Sequence, residues 1–437
     1  MIVVEHNEVL DDQYHDIHGL WIGCGAMCRR SYPALQALQR GGAELTFVDV
    51  RDKGSVKQLP PPGADFFDVA DPAQREEFHQ HLIKHPATHA FVANLPPQHL
   101  LTTFLIMGKC PGVKVIIAKP LDVNFQLIEA IASDRVWPGV IENVFLHDHY
   151  LGKGIVDPLY RCFPNLIKTY GRVERFEGYL VEHRTIEEEN RLDALNEGVI
   201  CDQSGHLFAL VQEFFLSRHH PALTQPNIRI LNVQLQINRV ARARYANCEL
   251  ENSNAETFAA IEVTIVVHYS RRGSSHTLEP MRIPGLIVVG KGVKPSSSIS
   301  AGLKGMRFNQ QLQFRAVNLA ANTVNPPLSD LNYAKNLLIG ERMQETGFHV
   351  PVMSAMSHRN LRQLVDYERP VRSIMPFPMA AQNTKFLSTA LKEASQIQMI
   401  FHKAGDTIEQ VLGQFVSKKM LSPSCLPESG YGDIGFG

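Results

Sequence analysis

A short apolar strand, Leu20-Trp21-Ile22, runs into the glycine turn Gly23-Cys24-Gly25 and then into a helical stretch from about Ala26 to Arg40. A second strand, Leu45-Thr46-Phe47-Val48, follows and closes on Asp49. Strand, glycine turn, helix and strand in this order make one βαβ unit, and a crossover of that kind commits the chain to a parallel sheet with helices on its faces. The alternation continues with expected strands at Ala90-Phe91-Val92-Ala93 and Val113-Lys114-Val115-Ile116-Ile117 and a helix over Leu100 to Gly108 between them. Such a sheet is doubly wound, and its ligands sit at the carboxyl ends of the strands. Asn94, Pro96, Pro97 and Lys119 all fall at such ends.

After Lys153 the texture changes. Val173 to Val181, Ile228 to Ile237, Ala259 to His268 and Pro284 to Gly290 read as longer strands in which polar and apolar residues alternate, the pattern of an antiparallel sheet. The expected fold class is therefore α/β: an N-terminal Rossmann-type doubly wound parallel sheet over residues 1–145, then an α+β domain over 146–437 with a large, mostly antiparallel sheet. The helical spacing from Lys385 to Lys419 predicts a C-terminal helical extension. Two domains also fit the length, since 437 residues exceed what one core supports and 44% of them are apolar. Basic and acidic residues, 43 and 44, nearly cancel without a Lys/Arg cluster, which argues against a nucleic-acid partner. Seven scattered cysteines fit a reducing compartment. The first residues carry Glu5, Glu8, Asp11 and Asp12, and no apolar run reaches membrane length, so the expectation is a cytoplasmic protein without membrane contact.

The chemistry-bearing residues fall into three groups. A dinucleotide's pyrophosphate needs close backbone approach and free amides at a helix start, which Gly23 and Gly25 with the amides of Ala26 and Met27 provide. Cys28 replaces the third glycine of the usual pattern. Asp49 stands where a carboxylate accepts both ribose hydroxyls, which favours NAD; Arg51 can pair with a 2′-phosphate, which keeps NADP open. Asn94, Pro96, His99 and Lys119 extend this cofactor group along the strand ends. The second group is Asp202 and His206, one helical turn apart, a base with its orienting carboxylate. A helical histidine in an apolar run is more often a satisfied core residue; Gly205 and the acid at i−4 bring the two readings level. The third group is the segment Phe145 to Lys153, read as a polar, anion-ready constellation rather than a core strand: beside the Asp148 carboxylate, His149, Tyr150 and Lys153 offer three donors that converge on a phosphate or a set of hydroxyls. Cys24 and Cys28 have no second Cys or His pair at ligand spacing, and no metal is expected.

These residues resemble the Gfo/Idh/MocA oxidoreductases and their relative glucose-6-phosphate dehydrogenase. Ala93-Asn94-Leu95-Pro96-Pro97-Gln98-His99 looks like the family's strand-end proline loop, and Ala118-Lys119-Pro120 resembles its Glu-Lys-Pro motif with Ala118 in place of the acid. Gly198 to His206 resembles the segment that carries the family's Asp and His. By that resemblance Lys119, Asp202 and His206 are the catalytic group. Asp148-His149-Tyr150-Leu151-Gly152-Lys153 is close to the sugar-phosphate motif of glucose-6-phosphate dehydrogenase, and Val289-Gly290-Lys291 is similar to a further stretch of that enzyme. The resemblance implies an NAD(P)-dependent enzyme acting on a CH–OH group of a sugar or sugar phosphate, with Asp148, His149, Tyr150, Lys153, Lys119 and His206 around the substrate. Its alternatives are a dehydrogenase of cyclitols or other unphosphorylated polyols and a cofactor-binding sensor without chemistry. It also implies a homodimer or homotetramer.

Overall fold

Six parallel strands open the chain in the computed structural model, which describes residues 14–56, 58–133, 137–148, 175–182, 198–212, 228–245, 256–293, 310–317, 374–403 and 405–425. They are β1 (His18–Ile22), β2 (Glu44–Asp49), β3 (Asp65–Asp68), β4 (His89–Val92), β5 (Lys114–Ala118) and β6 (Val144–His147), in the spatial order β6-β5-β4-β1-β2-β3. The order reverses at β1, as a doubly wound sheet requires. Helices α1 (Ala26–Arg40), α2 (Pro72–Lys84), α3 (His99–Lys109), α4 (Phe125–Ser133) and α5 (Pro138–Asn143) make the crossovers. The central strands are apolar along their length because helices cover both faces; Val115, Ile116 and Ile117 are all buried. Trp21 and Phe91, opposite each other on β1 and β4, stack with ring centres 4.2 Å apart. α2 starts where it does because Asp71 accepts the Ala73 amide and Pro72 takes the first turn.

The chain divides into two compact units, Met1–Lys153 with Gly347–Thr384 and Gly154–Thr346 with Lys385–Gly437. The second holds β7 (Arg175–Glu182), a single π-type turn (Ile200–Ser204) that runs into α6 (Gly205–Val211), β8 (Ile228–Tyr245), β9 (Phe258–Arg271), β10 (Met281–Lys291) and β11 (Gln310–Val317). β12 (Ile374–Pro376) then returns to the first sheet and pairs antiparallel with β6. α7 (Phe377–Ser395), β13 (Ile400–His402) and α8 (Ile408–Ser417) complete the described chain. The second sheet has the order β11-β7-β10-β9-β8-β13; β7 with β10 and β8 with β13 are parallel, the other pairs antiparallel. Val411, Leu412 and Phe415 of α8 cover one face over Ala241, Phe258, Ala260 and Val288. A capping box of Thr407 and Gln410 starts that helix.

An N-terminal parallel Rossmann-type sheet followed by a mostly antiparallel one is the fold class that the sequence implies. One local reading is corrected. Phe145, Leu146 and His147 belong to core strand β6, paired with Ile116, Ile117 and Ala118, and His147 is buried with its ring edge-on to Phe91. Only from Asp148 does the polar segment begin. Among the described residues no helix is long and apolar enough to cross a membrane.

Candidate functional site

The glycine turn is held at both ends. Gly23 has φ +93°, and a Cβ on it would lie 2.5 Å from the Ala93 carbonyl oxygen, so only glycine lets the β1 loop lie against the loop after β4. Gly25 is different, because a Cβ there would meet nothing within 4 Å. The open space faces the start of the 15-residue α1, where backbone amides remain for an anion. Asp49 staples the turn from the end of β2: its Oδ2 accepts the Cys24 amide at 2.6 Å, while the Arg51 guanidinium donates to Oδ1 at 2.8 Å and to Oδ2 at 2.9 Å. Burial would push the Asp49 carboxyl up, but the bonds from Arg51 and Cys24 outweigh it and hold the group below its ordinary value. Cys28 is buried behind the turn, where its thiol, pushed up by its contact with Cys24 and by burial, stays protonated.

The next two strand ends are fastened to each other. His99, buried at the start of α3, points Nδ1 at the Pro120 carbonyl (2.8 Å) and Nε2 at the Asn94 carbonyl (3.1 Å). Burial pushes its imidazole below the ordinary value, so the ring is neutral and its single N–H ties α3 to one of the two carbonyls while the ring packs between both loops. Asp122 adds a second tie by accepting the Leu100 amide at 2.9 Å. Asn94 gives its Nδ2 to Thr102 at 2.9 Å, and its buried Oδ1 has no hydrogen-bond partner among the described residues. An unanswered buried acceptor at a strand end is what a ribose or carboxamide donor requires. Pro96 opens the short turn before α3, and Lys119 is half-buried at the end of β5, its peptide to Pro120 cis. The first unit thus brings Gly23, Gly25, Ala26, Met27, Asp49 and Arg51 to one turn and Asn94, Pro96, His99 and Lys119 to two tied loops. Asp148 is buried just past β6, beside the β5 end that carries Lys119. His149, Tyr150 and Lys153 lie outside the described residues.

In the second unit Asp202 sits in the π-type turn and His206 in the first turn of α6. A one-turn π segment widens the helix and recurs where side chains must be aimed. His206 is buried, at 3% exposure; the Asp202 side chain keeps 23%. Lys291, at the end of β10, brings Nζ to 3.2 Å from Asp202 Oδ2 and is itself buried. Sequence reasoning did not pair the two. The only signal was the likeness of Val289-Gly290-Lys291 to a stretch of another enzyme, because the contact depends on a β register and not on a spacing.

Comparison with solved structures shows what this geometry is similar to. A myo-inositol dehydrogenase from Corynebacterium glutamicum superposes with a TM-score of 0.52 at 14% identity, over 87% of this chain and 97% of that one. A scyllo-inositol dehydrogenase from Lactobacillus casei gives 0.52 at 11% identity, over 86% and 95%. No family model matches the sequence, and neither does any curated protein. The likeness to the two inositol dehydrogenases is one of fold.

Proposed function

We propose that this chain is an NAD(P)-dependent oxidoreductase acting on a CH–OH group of a sugar, sugar phosphate or cyclitol, with Lys119, Asp202 and His206 as its catalytic group. The observation that carries the reading is the nucleotide turn: a glycine that only glycine can fill, open space at Gly25 before a helix start, and a carboxylate stapled beneath it. An unpartnered Asn94 oxygen at the neighbouring strand end fits the same ligand.

The nicotinamide, when bound, accepts or supplies the hydride. The chain's own residues move the proton. His206 takes it from the substrate hydroxyl, Asp202 orients the imidazole, and Lys119 holds the hydroxyl oxygen. Lys291 balances the Asp202 charge from β10. Asp49 favours NAD, although its fork with Arg51 leaves a guanidinium beside the ribose position, where a 2′-phosphate can also be met. The two inositol dehydrogenases of like fold support a polyol substrate, whereas the donors His149, Tyr150 and Lys153 support a phosphorylated one.

The test is a titration with NADH and NADPH followed by energy transfer from the protein's tryptophans, repeated with a panel of cyclitols, sugars and sugar phosphates. Saturable binding of one cofactor and turnover of a panel member are expected, with Lys119→Ala and His206→Ala each losing about 10²-fold or more in kcat. Full turnover in both variants would end the catalytic assignment. Cofactor binding without turnover of any polyol would mark a sensor, and absence of binding would refute the reading of the glycine turn.

A further inference from the structure

The segment that carries Asp202 and His206 is gripped from beneath by a carboxyl that the mechanism above does not use. Glu256, just ahead of β9 and 3% exposed, accepts the Ile200 amide on Oε1 at 3.0 Å, and its backbone carbonyl accepts the Val199 amide at 3.1 Å. These are the amides at the start of the π-type turn, which have no partner within it. Gly198, at φ +69°, makes the room: a Cβ there would collide with the Glu256 carboxylate. Lys291 takes the same turn by its side chain, pairing with Asp202 while its own amide donates to the Thr257 carbonyl at 2.7 Å. The start of β9 and the end of β10 are register neighbours, Phe258 opposite Gly290, so one strand pair holds the turn by amide and by carboxylate.

We propose that Glu256 is the positioning residue of the Asp202–His206 segment, its carboxyl fixing the first turn and with it the places of both proton-transfer groups. The proposal rests on the catalytic assignment above and adds to it a group that touches neither substrate nor cofactor. A buried carboxyl is a costly way to fill space, and an apolar side chain would serve packing better; what it supplies is an acceptor for an amide that would otherwise be orphaned. Among the described residues the surrounding charges are few. Arg242 on β8 places Nη1 4.0 Å from Glu256 Oε2 and is itself tied to the Ile397 carbonyl at 3.2 and 3.1 Å. Lys291 on β10 is engaged by Asp202, and His402 on β13 faces Thr257 at 2.8 Å. Burial pushes the Glu256 carboxyl up to about 7, against the smaller pull of the Ile200 amide and Arg242. The hold on Ile200 therefore gains an ionised, stronger acceptor as pH rises through neutrality.

Glu256→Ala and Glu256→Gln in the full chain test this by amide exchange and by kinetics. Glu256→Ala is expected to raise exchange in peptides spanning 198–206 by about tenfold, as loss of one buried hydrogen bond does, while β9 stays protected. On a polyol that wild type turns over, it is expected to lower kcat by about 10²-fold with little change in KM, the signature of misplaced groups and not of weaker binding. Glu256→Gln keeps the acceptor, so it should rescue both readouts, and protection of 198–206 should no longer strengthen from pH 6 to 8 beyond the intrinsic exchange trend. Unchanged exchange in Glu256→Ala, or equal loss in Ala and Gln variants with β9 intact, would overturn the proposal. Absence of turnover by wild type would sink the catalytic assignment, while exchange at 198–206 would still decide for or against the hold.

Discussion

Asp49 joins stability to cofactor binding in one side chain. Its two oxygens accept four N–H groups, the Cys24 and Arg51 amides and the two-pronged Arg51 fork, which fills the four acceptor positions of a carboxylate, so ribose hydroxyls bind there by displacing the fork. Asp49→Ala leaves a buried amide and a guanidinium without their acceptor, which costs about 1–3 kcal/mol. Its Tm should fall at pH 7, and its affinity for NADH should drop at least about tenfold, since the ribose hydroxyls lose their acceptor as well. A lowered Tm with unchanged affinity would leave Asp49 a purely structural staple. The sign with pH follows from its depressed value: the Asp49 contribution is present above the unfolded carboxylate range and is lost as pH falls through the folded value. Residues of this kind were legible in the sequence because spacing fixes their geometry. Gly23, Gly25 and Asp49 lie where a strand, a helix start and a second strand must put them. Glu256 and Lys291 were not legible as partners of the Asp202 turn, since nothing local ties either of them to it.

At the scale of the element, β10 shows how the second sheet fixes its register. It lies between β7, parallel, and β9, antiparallel, and offers a glycine opposite a phenylalanine on each side. Gly285 faces Phe176, whose ring fills the place of the missing Cβ; Gly290 faces Phe258, and a Cβ there would stand 2.7 Å from the ring. Both rings are fully buried, so neither can move aside. Gly285→Ala is expected to cost about 1–3 kcal/mol by overpacking, measured by denaturant unfolding, and Phe176→Leu in the same chain should recover part of it. Additive losses in the double variant would show that the ring does not set the fit. Strands with long alternation, β7 to β10, were readable from the sequence because the period of two repeats often enough to stand out. β12 and β13, three residues each, and the four-residue β3 are too short for any period, and tertiary pairing alone makes them strands. β6 was misread because His147 ends an otherwise apolar strand and the polar run begins at its last bond. The parallel pairing of β7 with β10 was beyond reach for a related reason, since alternation does not reveal which strand lies alongside.

For the molecule as a whole, a partly buried histidine and a buried carboxyl pull the pH dependence of stability in opposite directions, one in each unit. His89 in the first unit is pushed down to about 4 by burial and by the Lys114 charge, from an ordinary 6.5. The unfolded chain takes the proton first, so the His89 contribution is whole above 6.5 and drains as pH falls toward 4. Glu256 in the second unit is pushed up to about 7 from 4.5. There the unfolded chain releases the proton first, and the contribution is whole below 4.5 and drains as pH rises toward 7. Asp49, His81, His99, Glu262 and His402 are also depressed and join His89 on the acid side, so that among the described residues Glu256 is the group that weakens the fold between mildly acid and neutral pH. Glu256→Gln should therefore match wild type in Tm near pH 4.5, gain steadily to pH 7 and hold that gain above it, a difference on the order of 2–3 kcal/mol at its plateau. His89→Asn should do the reverse, keeping a constant offset from wild type above 6.5 and improving against it as pH falls to 4. Melting curves of the three proteins at half-unit steps from pH 4 to 8.5 read both slopes. Parallel curves for Glu256→Gln and wild type across 4.5–7 would mean that this carboxyl is ionised in the folded chain, with Arg242 at 4.0 Å a far stronger partner than its distance implies.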